Sequence, residues 1–124
     1  MNLEQILADM LRAAAAAAQG HWDALRGFAE QEFKALTQAG AQLEQDFLRD
    51  QAAALLEPDE AQRAGALQIA KRRAALGFAN LKLAVEGVVL AAQADAKLAA
   101  QDAVNAALGV LRSAINAAIK IPLL

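Results

Sequence analysis

The side chains able to carry a reaction are few. His21 beside Trp22 joins a proton carrier to a ring suited to a lipid–water interface. No carboxylate lies at a helical spacing from His21 that would set up a dyad with a nucleophile. The pair therefore reads as a helix junction, in which Trp22 supplies the bulk that the alanines at 13–18 lack. Ser113 and Thr37 are the only aliphatic hydroxyls, and neither sits in a Gly-x-Ser-x-Gly elbow. Glu30/Glu32 and Glu44/Asp46 hold the groups of acid–base catalysis, but residues two apart on a helix diverge. With no cysteine, one histidine and no Glu-x-x-His, the usual ligands of a zinc or di-iron site are missing. The seven glycines are scattered and no Gly-Lys-Ser/Thr phosphate loop occurs. These patterns predict a protein that is not an enzyme, with no catalytic residue, cofactor, metal or small-molecule substrate.

Lys71-Arg72-Arg73, with Arg63 two turns earlier, is the one basic cluster, of the kind that nucleic-acid binders and anionic membrane surfaces use. On a helix the three side chains fan over about 200° of arc at ~100° per residue, so they form no stripe. Residues 1–57 carry four basic and nine acidic groups and residues 58–124 eight basic and five acidic, against an overall charge of −2. The expectation is that the cluster pairs with the acidic stretch Glu44, Asp46 and Asp50, and that no nucleic acid is bound.

The elements that carry these residues are helices. The chain has 124 residues, the length of one ordinary domain, and 57% of them are hydrophobic. Alanine (35) and leucine (19) dominate, tyrosine is absent, and serine and threonine occur once each. That composition excludes an all-β fold, which draws on β-branched and aromatic residues. Large apolar residues at Leu3, Ile6, Leu7, Met10 and Leu11, then at Trp22, Leu25, Phe28, Phe33, Leu36, Leu43, Phe47 and Leu48, keep the spacings of one helical face. Gly20 and Gly40 are the weak points, where a kink is expected. Pro58 ends the first arm and suits the first turn of the next helix, where Asp59 and Glu60 complement the helix dipole. Between Pro58 and Pro122 no Gly/Pro/Ser/Asn cluster is long enough for a loop. The reading is an all-α single domain over 1–124, a long antiparallel helical hairpin. Its arms cover about 3–56 and 58–120, with a turn at 57–58 and a short apolar tail at 121–124.

The second arm has two apolar seams. Leu67, Ala74, Phe78, Leu81, Val85 and Val88 trace one face, while Ile69, Leu76, Leu83 and Leu90 recur every seven residues on another. Lys82 and Glu86 are expected to pair at i,i+4. Farther on, Leu98, Leu108, Leu111, Ile115 and Ile119 oppose a polar stripe of Asp102, Asn105, Arg112, Asn116 and Lys120. Two helices cannot cover so much apolar surface. Either the arms break and fold back into a three- or four-helix bundle, or copies associate into an oligomeric bundle. Association is the expectation, with Ile69, Leu76, Leu83, Leu90, Leu108, Leu111, Ile115 and Ile119 as the contact residues.

The charge-free stretches Ala13–Trp22 and Ala103–Leu111 are too short to span a bilayer, and residues 75–94 carry Asn80, Lys82, Glu86 and Gln93. No clear transmembrane helix is predicted. Asn2, Glu4 and Asp9 stand where a leader would be basic, which predicts a cytoplasmic chain. In outline the chain is similar to granule-coating phasins, to small secreted helical hairpins and to pore-forming toxins. The turn reads Glu57-Pro58-Asp59 instead of Trp-x-Gly, and no motif assigns it to any of them. The function expected is a self-associating structural or scaffold protein. The alternatives are a membrane-active or lipid-surface protein using the same face, and an adaptor or assembly chaperone for a helical partner.

Overall fold

The computed structural model describes residues 1–119, and the tail expected at 121–124 lies outside them. Among the described residues the chain is helical with no strand. Helix α1 spans Leu3–Ala18, a 3-10 turn spans Gln19–His21, and α2 spans Trp22–Leu55. Helix α3 spans Glu60–Ala91, a second 3-10 turn spans Ala94–Ala96, and α4 spans Lys97–Ile119. Asn2 caps α1, its side-chain oxygen accepting from the Gln5 amide at 3.1 Å. Asp59 caps α3 in the same way through the Gln62 amide at 3.2 Å, so the helix starts two residues later than Pro58. A carboxylate that accepts an orphan amide is the stronger helix start, and Pro58 is left in the turn.

The two expected arms do not stay whole. α1 folds back along α2, bringing the Met1 amino nitrogen to 3.8 Å from a Glu44 carboxylate oxygen. α2 and α3 run antiparallel, with Phe28 near Gly87, Leu43 near Gly77 and Asp50 near Arg73. α4 returns against α1, since Ala18 and Leu98 line one end of their contact and Ile6 and Val110 the other. The result is a four-helix bundle. Among the described residues, only α2 and α3 continue beyond about Phe47. The largest fully buried side chains are Phe33, Met10, Leu111, Ile115, Val85 and Val88, with at least one from each helix. Ala14, Ala18, Ala29, Ala100, Ala103 and Ala107 are buried between them. Part of the alanine excess is thus a close-packed seam, where a small side chain lets helix backbones approach.

The break before α4 has no punctuation in the sequence. Ala92 and Gln93 turn extended, with ψ of 146° and 158°, although both are good helix formers. What offsets the lost helical hydrogen bonds is burial: the return lets Leu108, Leu111, Ile115 and Ile119 leave water, at about 1.5–3 kcal/mol each. Gly40 does not break the helix, and α2 continues through it. Its missing side chain leaves room for Leu111, whose Cδ1 would stand 2.9 Å from an added Cβ.

The break after α1 falls where expected but puts its cost on Gln19. That residue takes φ 51° and ψ −124°, a backbone conformation that suits glycine, while Gly20 beside it has no positive φ. Gln19→Gly is expected to stabilise the fold by about 1 kcal/mol, seen as a higher urea midpoint at constant slope. An unchanged or lower midpoint would mean that no strain is held there.

Candidate functional site

The core face of α3 consists of Ala70, Ala74, Phe78, Val85 and Val88, all buried, with Leu81 packed beside them. At ~100° per residue, Ile69, Leu76, Leu83 and Leu90 fall on the opposite side of the same helix. Their exposures are 52%, 67%, 64% and 75%. An isolated exposed leucine is ordinary, but four large apolar residues in register along one helix form a ridge. Its length from residue 69 to 90 is about 32 Å at 1.5 Å per residue.

The other expected contact residues are used within the chain. Leu111 and Ile115 are fully buried, and Leu108 and Ile119 nearly so, against α1 and α2. They are not a free surface in the folded chain, because the break at 92–96 turns that face inward. Leu98 is exposed at the start of α4, Leu55 at the end of α2 and Leu56 just after it.

The polar residues beside the ridge are distinctive. Lys82 does not pair with Glu86; its Nζ lies 5.7 Å from the centre of the Phe78 ring, in a cation–π contact. Arg73 reaches Asp50 at 3.9 Å, which realises one of the expected pairings with the acidic stretch. Asp46 and Asp50 also face Arg49, at 3.4 Å and 3.9 Å. Arg63 is tied to the turn, donating to the Glu57 carbonyl at 3.3 Å. Among the described residues neither Arg72 nor Glu86 has an ion-pair partner, and both are exposed on the flank of the ridge. These two charges were not legible as part of a site, since the sequence pattern assigned each to a different partner.

Comparison with known protein families, with curated proteins and with solved structures finds no match. Geometry alone bears on what the ridge does.

The side chains able to carry a reaction are dispersed. His21 is exposed in the first 3-10 turn, and Trp22 opens α2 against the core. The Thr37 hydroxyl donates to the Lys34 carbonyl at 2.7 Å within its own helix. Glu30 accepts from Arg26 at 3.0 Å. Among the described residues no three His, Cys, Asp or Glu side chains gather as a metal group. A crease of about 430 Å³ between α2 and α3 is floored by Leu43, Phe47, Ala74 and Gly77. Its rim charges, Asp46, Arg49, Asp50 and Arg73, are occupied with one another.

Proposed function

We propose that this is a non-enzymatic, self-associating structural protein whose copies join through the Ile69–Leu90 ridge of α3. The observation that carries the reading is the heptad of large apolar side chains exposed opposite the core face. Covering each is worth about 1–2 kcal/mol, and a contact between identical faces counts every residue twice. The half of the expected surface on α4 is not part of this proposal, since its residues are buried within the chain. Light scattering of the detergent-free protein at two concentrations and two salt levels tests it. The expected mass is a defined multiple of 13.0 kDa that persists at high salt, because the contact is apolar. A mass of 13.0 kDa under every condition overturns the reading.

A second reading has its own support. α3 is the one helix among the described residues long and apolar enough to cross a membrane by length and composition, and only 22% of its most apolar segment is buried in the chain. On this reading the ridge lies on a lipid surface, with Arg72 on its flank near the headgroups. Flotation with neutral and anionic liposomes separates the two. Recovery with the vesicles supports the lipid reading, and failure with both lipid types removes it.

A further inference from the structure

Two copies that associate through α3 can run parallel or antiparallel, and the choice between these rests on the self-association just proposed. The face is nearly unchanged when turned end for end. The midpoint of Ile69 and Leu90 is the midpoint of Leu76 and Leu83, and it falls between Ala79 and Asn80. Arg72 and Glu86 stand seven residues to either side of Ala79. A half-turn about an axis through this point sets Ile69 against Leu90 of the second copy and Leu76 against Leu83 of the second copy. It also brings Arg72 beside Glu86 of the second copy, twice. Neither charge is engaged in an ion pair within its own chain among the described residues, so both are open to the second copy. A parallel arrangement would oppose Arg72 to Arg72 and Glu86 to Glu86, and like charges held together work against docking.

The period of the ridge fixes the packing angle as well. A strict seven-residue repeat advances 3.5 residues per turn, which keeps the stripe facing a neighbour crossed at a shallow angle, near +20°. A steep crossing would bring only the centre into contact and leave Ile69 and Leu90 in water. At the centre Ala79 keeps the helices close. Asn80 of each copy stands next to the axis, where a buried amide specifies register.

We infer that the ridge is covered by the ridge of a second copy, docked antiparallel across a two-fold axis at Ala79 and Asn80, with Arg72 of each chain against Glu86 of the other.

The chain has no cysteine, so a single introduced thiol reports one position. Asn80→Cys and Leu90→Cys replace exposed residues, and neither disturbs the core. With a short bismaleimide, Asn80→Cys is expected to give a covalent dimer. Leu90→Cys is expected to give none, because the two thiols then stand about 32 Å apart. Arg72→Glu is expected to weaken association about tenfold, and adding Glu86→Arg should restore it. Dimer formation by Leu90→Cys would show parallel docking and overturn the inference while self-association stands. No cross-link from either variant, in protein whose mass is still a multiple of 13.0 kDa, would place the contact elsewhere and overturn it too. A 13.0 kDa mass in the unmodified protein would instead remove the self-association on which it rests.

Discussion

Leu83→Glu is expected to reduce the particle to a 13.0 kDa chain while leaving its helix content intact. Leu83 is 64% exposed and points away from the core face, so in the single chain a glutamate there is solvated. Leucine and glutamate have similar helix propensities, so the intrinsic stability of the single chain should change by no more than about 0.5 kcal/mol, and any larger fall in the urea midpoint is the contribution of the lost assembly. In the assembly the same side chain would enter a contact made of leucines. A carboxylate buried there without a partner costs several kcal/mol, and a self-complementary contact incurs that cost twice. Dissociation should strengthen by at least ~100-fold, which light scattering and circular dichroism on one sample would register. Leu98→Glu is the matched control, since Leu98 is also exposed but belongs to α4 and not to the α3 ridge. It is expected to leave the mass unchanged. If Leu83→Glu keeps the full mass with full helicity, the ridge is not the contact.

The ridge was readable in the sequence because its signal needs no knowledge of the partner: a seven-residue repeat on a second face marks a surface that one neighbour cannot cover. The helices were readable for a similar reason, since periodicity is local, whereas the capping roles of Asn2 and Asp59 were not read from the sequence. What was not readable is which apolar face the chain covers for itself. Leu108, Leu111, Ile115 and Ile119 have the same amphipathic pattern whether they meet α1 and α2 or another copy. Their fate depends on the turn at 92–96, where Ala-Gln-Ala has no intrinsic reason to leave a helix. There tertiary burial overrides propensity. Gly40 misleads in the opposite sense: its lack of a side chain is a packing notch, and α2 continues unbroken through it. Glu86 read as the partner of Lys82 at helical spacing. The Phe78 ring, one turn back along α3, competes for that cation, and helical spacing alone does not decide between the two.

Leu111→Ala is expected to do the reverse of Leu83→Glu, lowering folding stability by about 3–5 kcal/mol while the native particle keeps its mass. Leu111 is fully buried, and its Cδ1 occupies the space where a side chain on residue 40 would stand. Truncation leaves a void bounded on the α2 side by a glycine, which has no rotamer to swing into it. The loss should therefore fall toward the upper part of the range for leucine truncations. The same geometry predicts a sign change for Gly40→Ala. Alone, its new methyl meets Leu111 Cδ1 at 2.9 Å and has to displace it in a filled core, which offsets the roughly 1 kcal/mol gained from replacing a helical glycine. In the Leu111→Ala background the methyl enters the void and the gain in helix propensity is kept, so the double variant should recover about 1–2 kcal/mol relative to Leu111→Ala. Urea unfolding of the four proteins at one concentration measures that coupling. Additive effects would mean that Leu111 does not fill the Gly40 notch. A Leu111→Ala protein that unfolds normally but loses its assembled mass would make the α4 face, and not the ridge, the contact between copies.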